Sequence, residues 1–162
     1  MDGEKHTLVG HAVVVGERAP DFIAVDRGLS PASFYSLSGC PCLLSSIVSV
    51  DTGVCDTQTR HLNQAAAELE EDLRILTISM DLPFALDRWC GAAGVEQMMM
   101  LSDHRDAAFG TSYGLLMKDL RLLARAVLVV DRDGIIRHKQ IVPEVTDEPD
   151  YAAAMAAVRQ CM

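Results

Sequence analysis

The chain has 162 residues, of which 49% are hydrophobic and 23% charged, so its length and composition fit one globular domain over residues 1–162. The excess of 23 acidic over 14 basic residues gives a net charge of -9, which argues against nucleic-acid binding because phosphates would be repelled. No segment approaches the roughly 18 apolar residues of a membrane helix, and the N-terminus lacks the pattern of a secretory signal. We therefore expect a cytoplasmic, reducing location and no membrane partner.

Short apolar segments in the first part of the chain predict strands. These segments are residues 7–9, 11–15, 22–25 and 42–48. The first two flank Gly10 and predict an N-terminal β-hairpin. The last is the most apolar and predicts a buried strand, whereas residues 30–39 are rich in turn-forming residues.

Two helices are predicted in the middle of the chain. Apolar residues at helical spacing predict a helix that begins near Cys55 and includes Leu69. Asp81 is the predicted cap of a shorter helix, and Gly91 is its predicted stop. This interpretation makes Cys90 the last residue of the shorter helix.

The remaining segments alternate between strands and helices. They are strands at 73–79, 97–101, 125–130 and 135–142, and helices at 106–113 and 150–160. Asp133-Gly134 predicts a hairpin turn between the last two strands. The order predicts an α/β fold with a central mixed sheet flanked by helices, which is the thioredoxin-like arrangement.

Cys55 is the strongest candidate for chemistry. It lies where a buried strand gives way to a helix, and unpaired N–H groups and the helix dipole favour a thiolate at that position. Thr52 lies three residues earlier, where its hydroxyl could hydrogen-bond the sulfur or a bound oxygen. Position alone leaves a second interpretation open, in which Cys55 is a packing residue and Thr52 a helix cap.

Motifs along almost the whole chain resemble the thiol peroxidase branch of the peroxiredoxins, of the atypical two-cysteine type. Residues 51–55, Asp-Thr-Gly-Val-Cys, resemble the peroxidatic motif of that branch. Further matching stretches are 16–22 (Gly-Glu-Arg-Ala-Pro-Asp-Phe), 79–85 (Ser-Met-Asp-Leu-Pro-Phe-Ala), 88–92 (Arg-Trp-Cys-Gly-Ala), 101–106 (Leu-Ser-Asp-His-Arg-Asp), 124–127 (Ala-Arg-Ala-Val) and 149–151 (Pro-Asp-Tyr). One match would be weak, but together and in order they identify the family.

The resemblance implies the roles of the site residues. Cys55 matches the peroxidatic cysteine, which attacks a peroxide and becomes a sulfenic acid. Cys90 matches the resolving cysteine, which forms an intramolecular disulfide with it, and Thr52 and Arg125 match the residues that hold the peroxide. The implied protein is a homodimer that reduces hydrogen peroxide and alkyl hydroperoxides, is recycled by thioredoxin, and needs no metal or cofactor.

The two cysteines are 35 positions apart and are predicted at opposite ends of two helices. A disulfide needs their Cα atoms to be within about 7 Å of each other. We therefore expect the helix that begins near Cys55 and the helix that ends near Cys90 to unwind locally.

One position departs from the family pattern. The family has a proline seven residues before the peroxidatic cysteine, and this chain has Val48 there. Valine does not fix the backbone as proline does, so we expect activity with altered protection of the thiolate. Val48 also leaves open a non-catalytic role on the same fold, as a peroxide sensor or a chaperone-like binder.

A thioredoxin-like oxidoreductase is disfavoured because the chain has no C-x-x-C motif.

Other reactive residue types are weaker candidates. Cys40 and Cys42 form a C-x-C pair without a second pair, which is a weak metal signal and favours packing. Cys161 lies next to the C-terminus. His61 lies six positions after Cys55 and would face away from it on a helix, which argues against a cysteine-histidine hydrolase.

Overall fold

The computed structural model describes residues 3–68, 73–94 and 98–162 of the chain. The strands of these ranges are β1 Leu8–Val9, β2 Ile23–Val25, β3 Pro31–Ser33, β4 Cys42–Ser46, β5 Arg74–Ser79, β6 Met99–Ser102, β7 Leu116–Met117, β8 Ala126–Val130 and β9 Ile136–Ile141. The helices are α1 Phe34–Leu37, α2 Gly53–Glu68, α3 Pro83–Ala93, α4 Ala108–Ser112 and α5 Tyr151–Cys161. In these ranges, no helix combines the length and the hydropathy that a membrane span requires.

A mixed sheet of seven strands forms the centre of the fold, in the order β3-β2-β6-β5-β4-β8-β9. Strands β4, β5 and β6 run parallel. Strand β8 pairs antiparallel with both β4 and β9, and β2 pairs antiparallel with β6 and β3. The predicted α/β fold with a central mixed sheet is therefore confirmed, as is the hairpin between β8 and β9.

Side chains of the central strands alternate between two apolar clusters, one on each face of the sheet. Leu43 of β4 and Val127 of β8 belong to the cluster that includes side chains of α2, α3 and α5. Leu44 and Leu128, their neighbours along the strands, belong to the cluster that includes side chains of α1 and α4. Both faces are covered, which explains why β4 and β8 are buried at every position.

The predicted N-terminal β-hairpin is wrong. Strand β1 pairs antiparallel with β7, and residues 11–14 are not a strand. Gly10 has a φ of +111°, and a Cβ there would lie 2.0 Å from the carbonyl oxygen of Thr111. The His11 N–H donates to the same oxygen at 2.8 Å. The chain therefore packs against the end of α4 instead of turning back on itself.

Asp81 does not cap α3, contrary to the sequence-based prediction. The residue at the N-cap position is Leu82, and it makes no side-chain capping bond. The Asp81 carboxylate instead accepts hydrogen bonds from the Val50 N–H at 2.9 Å and from the Ser49 and Ser79 hydroxyls at 2.8 Å. Asp81 therefore fixes the loop between β4 and α2.

Helix α3 also ends later than predicted. It continues through Gly91 to Ala93, and Gly94 ends it in the left-handed conformation with φ +64°. The Gly94 N–H donates to the carbonyl oxygen of Cys90 at 3.0 Å. Cys90 therefore lies in the last turn of α3 but is not its final residue.

Further segments bear on the predictions. Residues 30–39 were expected to be turns, but they contain β3 and α1, and the Tyr35 N–H donates to the Asp21 carboxylate at 2.9 Å. Asp150 caps α5 by accepting from the Ala153 N–H at 2.9 Å. The predicted strand start at residue 97 and the helix position at residue 69 lie outside the described residues.

Candidate active site

Cys55 is completely buried in the first turn of α2. The Asp56 N–H donates to the carbonyl oxygen of Thr52 at 3.0 Å, which is the first bond of the helical ladder. The N–H groups of residues 53–55 precede that ladder and, together with the dipole, make this end of the helix electropositive. The predicted position of Cys55 at the start of a helix is confirmed.

Arg125 donates from Nη2 to the Sγ of Cys55 at 3.3 Å. It immediately precedes β8, and the alternation along the strand puts it on the same face as Val127 and Val129. Those two valines belong to the cluster that contains Cys55, and Arg125 itself is only 1% exposed. The structure thus brings together Cys55 and Arg125, two of the residues singled out in the sequence.

Neutral acceptors hold the guanidinium group in place. The carbonyl oxygen of Val145 accepts from Nε at 3.0 Å and from Nη2 at 2.7 Å, and Gln58 Oε1 accepts from Nη1. No carboxylate of the described residues forms an ion pair with Arg125. A buried cation without a counter-ion is unfavourable. Negative charge on the Cys55 sulfur would therefore compensate the positive charge of Arg125.

Gln58 is a site residue that the sequence analysis missed. Its amide links two elements, because Oε1 accepts from Arg125 and Nε2 donates to the Ser45 hydroxyl of β4 at 2.9 Å. Its place three residues after Cys55, on the same face of α2, was the available signal. That spacing identifies a neighbour of the sulfur only once the helix start is known.

Thr52 has a different partner from the one expected. Its hydroxyl donates to the carbonyl oxygen of Ser49 at 3.1 Å. The hydroxyl hydrogen is therefore engaged, while the oxygen keeps the capacity to accept a hydrogen bond. Contact between Thr52 and a peroxide stays a prediction.

Val48, which stands where the family has proline, is 4% exposed and belongs to the same apolar cluster as Cys55. Its side chain therefore contributes to the apolar surroundings of the sulfur. This location is compatible with the expected change in thiolate protection.

Cys90 is a free thiol in α3, 4% exposed, and Cys55 is also free. Burial raises the pKa of the Cys90 thiol, and the guanidinium of Arg27 beside it offsets part of that effect. The structure therefore represents the dithiol form, in which both sulfurs are shielded from water.

The weaker candidates do not join this site. Cys42 is buried in β4, donates to the carbonyl oxygen of Cys40 at 3.3 Å, and has its pKa raised to about 12 by burial. His61 is exposed and contacts Glu148 at 3.3 Å. Within residues 3–68, 73–94 and 98–162, no group of three or more His, Cys, Asp or Glu side chains could hold a metal ion.

Comparison with known proteins places the chain in a family. The family model described as Redoxin matches residues 14–155. A thiol peroxidase of Halalkalibacterium halodurans is 45% identical over 160 residues, which cover 99% of this chain and 96% of the relative. A thiol peroxidase of Staphylococcus aureus is 49% identical over 152 residues, or 94% of this chain and 92% of the relative.

A solved structure agrees with these relatives. The crystal structure of a peroxiredoxin-like protein from Aquifex aeolicus superimposes with a TM-score of 0.91 at 32% identity, covering 99% of this chain and 95% of that protein. The fold, the buried thiol at a helix start and the relatives' sequences agree with one another. The chain belongs to the Redoxin family and, within it, to the thiol peroxidase branch of the peroxiredoxins.

Proposed function

We propose that this thiol peroxidase reduces hydrogen peroxide and organic hydroperoxides with Cys55 as the nucleophile and Cys90 as the resolving thiol. The observation that carries the proposal is the 3.3 Å contact between Arg125 Nη2 and Cys55 Sγ at the start of α2. It combines a thiol, a fixed cation and an electropositive helix end in one buried site.

In the first step, the Cys55 thiolate attacks one peroxide oxygen. The sulfur–oxygen bond forms, the oxygen–oxygen bond breaks, and the leaving hydroxide or alkoxide takes up a proton. Negative charge moves from sulfur to the leaving oxygen during this step. One guanidinium can therefore stabilise the thiolate before the reaction and the leaving oxygen as its charge develops. Val145 and Gln58 hold Arg125 in position, which avoids reorganisation during the step.

Thr52 and the backbone of α2 are the proposed orienting groups. The Thr52 oxygen would accept a hydrogen bond from the peroxide O–H, since its own hydrogen is engaged with Ser49. The N–H groups of residues 53–55 and Arg125 would donate to the peroxide oxygens. Such an arrangement favours in-line attack by holding the reacting atoms in one geometry.

In the second step, Cys90 attacks the sulfur of the Cys55 sulfenic acid. A disulfide forms and one water molecule leaves. Both cysteines are buried in α2 and α3, so local unwinding near both is the proposed route. A dithiol protein of the thioredoxin type would then reduce the disulfide by exchange. The chemistry uses thiols alone, and the homodimer implied by the resemblance stays a prediction.

The test is consumption of cumene hydroperoxide, coupled to thioredoxin, its reductase and NADPH. We expect the wild type to turn over continuously and Cys55→Ser to show only the uncatalysed rate. Cys90→Ser should consume a single equivalent and then stop. Cys161→Ser is the matched control, because Cys161 lies at the end of α5, and it should behave as the wild type.

Two results would contradict the proposal. Full activity of Cys55→Ser would exclude Cys55 as the nucleophile. A wild type that reacts once with every peroxide tried but never turns over would favour the sensing role that Val48 leaves open.

A further inference from the structure

The residues next to the two cysteines in the sequence contact each other in space. Asp56 directly follows Cys55, and Trp89 directly precedes Cys90. The Trp89 indole donates from Nε1 to Asp56 Oδ1 at 3.0 Å. This hydrogen bond joins the first turn of α2 to the second half of α3.

Arg60 completes a three-residue cluster with Asp56 and Trp89. Its Nε donates to Asp56 Oδ2 at 2.8 Å, and its guanidinium carbon lies 5.7 Å from the centroid of the Trp89 ring. Its Nη1 also donates to the carbonyl oxygen of Ala93, the last residue of α3, at 3.4 Å. Arg60 therefore bridges the two helices by a second route, and both oxygens of the Asp56 carboxylate are engaged.

The cluster is charged at neutral pH and partly open to water. Hydrogen bonding from Arg60 and, to a smaller extent, from Trp89 holds the pKa of Asp56 below its ordinary value. The exposed fraction of the Asp56 side chain is 34% and that of Arg60 is 51%. Contacts of this kind are individually modest, so the cluster can restrain the helices and still open during a catalytic cycle.

Formation of a disulfide requires these contacts to change. The two Cα atoms must come within about 7 Å of each other, and both sulfurs start from buried positions in separate helices. Asp56 and Trp89 are each one residue from a reacting cysteine. Unwinding near either cysteine therefore separates the indole N–H from the carboxylate.

We propose that the Asp56–Arg60–Trp89 cluster is a latch between α2 and α3 that limits the rate at which Cys90 reaches the oxidised Cys55. This proposal rests on the proposed function, because it assigns the resolving role to Cys90. The step it controls converts the Cys55 sulfenic acid and the Cys90 thiol into a disulfide and water. The three residues are positioning residues and do not touch the peroxide.

The latch has a consequence for peroxide tolerance. A sulfenic acid that is not yet resolved reacts with a second peroxide to give a sulfinic acid and water or an alcohol. Slow opening lengthens the life of the sulfenic acid and favours this second oxidation. A weakened latch should therefore give faster disulfide formation and less sulfinic acid at high peroxide.

Trp89→Phe and Arg60→Gln are the variants of choice. Trp89→Phe removes the indole N–H and keeps an aromatic ring, and Arg60→Gln alters a half-exposed side chain. Arg137→Gln is the matched control, because it breaks an ion pair, between the half-exposed Arg137 and Asp131, that does not involve α2 or α3. Asp131 directly follows β8 and Arg125 directly precedes it, so the control ion pair and Arg125 lie at opposite ends of the strand.

Rapid mixing with one equivalent of hydrogen peroxide, acid quenching, alkylation and mass spectrometry would follow the sulfenic acid and the disulfide separately. We expect disulfide formation to become about threefold to tenfold faster in both variants, the range expected for one lost hydrogen bond, and to be unchanged in Arg137→Gln. In the wild type, fluorescence provides a second signal, because Trp89 is the one tryptophan of the chain. Its emission should change at the rate of disulfide formation.

The outcomes separate the two proposals. If the wild type forms no disulfide between Cys55 and Cys90, the proposed function fails. If that disulfide forms, but both variants resolve at or below the wild-type rate, the latch is wrong and the proposed function stands. Trp89 emission that stays constant while the disulfide forms would also overturn the latch.

Discussion

Arg125 is the buried cation that contacts the proposed nucleophile, Cys55. Its guanidinium is buried, and its acceptors are a backbone carbonyl, an amide oxygen and the Cys55 sulfur. The first two are neutral and leave the positive charge uncompensated. The planar group also donates in several directions at once, which fixes its orientation relative to Sγ.

Replacement of Arg125 by lysine should separate charge from geometry. The shorter ammonium side chain would keep a cation but could not reproduce the fork that reaches Val145, Gln58 and Cys55 together. We expect Arg125→Lys to lower the second-order rate constant for Cys55 oxidation by about 100-fold, as for loss of one preorganised donor. Stopped-flow mixing with peroxide measures this constant.

Arg137→Lys is the control for that experiment, because the half-exposed Arg137 pairs with Asp131 and does not contact Cys55. It should keep the wild-type rate constant. An Arg125→Lys protein whose rate constant also matches the wild type would show that the fixed fork of donors is not needed.

Sequence patterns located the nucleophile more easily than its partners. A cysteine between a buried strand and a helix is visible locally, and it was predicted. The pairing of Cys55 with Arg125 was implied only by family resemblance, because their contact spans 70 positions and depends on the sheet. Gln58 was missed since an uncharged amide gives no signal until the helix face is known.

At the scale of elements, long apolar runs were predicted well, and short segments were not. Strands β4 and β8 lie in largely apolar runs and helix α2 has apolar residues at helical spacing, and each was found near its predicted position. Strand β1 has two residues and pairs with the distant strand β7, and the His11 N–H that follows it donates to the Thr111 carbonyl oxygen. The residues next to Asp81 in the sequence predicted a helix cap. In the fold, its carboxylate accepts hydrogen bonds from the loop before α2.

The turn between β8 and β9 depends on one carboxylate. Asp131 accepts from the Asp133 and Ile135 N–H groups at 2.9 Å and from Arg137 Nε at 2.5 Å. Burial tends to raise the pKa of Asp131, but hydrogen bonds from Ile135 and Arg137 outweigh it and lower the value. The ionised form is therefore the one that stabilises the turn.

Asp131→Asn should lower the free energy of unfolding at pH 7 by about 1–3 kcal/mol, as expected for disrupted hydrogen bonds to a charged group. A lowered pKa gives stability that is present above the ordinary value of 3.8 and lost as the pH falls through the lower folded value. The difference between wild type and variant should therefore shrink below that pH. Urea unfolding of both proteins across this range measures it, and a difference that is constant with pH would contradict the assignment.

At the scale of the whole molecule, composition and element order predicted the fold class but not the strand order. The order β3-β2-β6-β5-β4-β8-β9 brings β8 beside β4, and thereby Arg125 beside the start of α2. Strand order follows from packing of both sheet faces, which no local pattern encodes. The expectation of one domain over residues 1–162 stays a prediction.

The central claim is that one chain carries both cysteines of the oxidative half of the redox cycle, with Cys55 oxidised first and Cys90 completing the disulfide. The most direct measurement is peptide mapping by mass spectrometry after treatment of the reduced protein with one equivalent of hydrogen peroxide. The account predicts a chain lighter by two hydrogen atoms, with Cys55 linked to Cys90 and with Cys40, Cys42 and Cys161 still free. A disulfide between two chains, or one that uses any of those three other cysteines in place of Cys90, would contradict it.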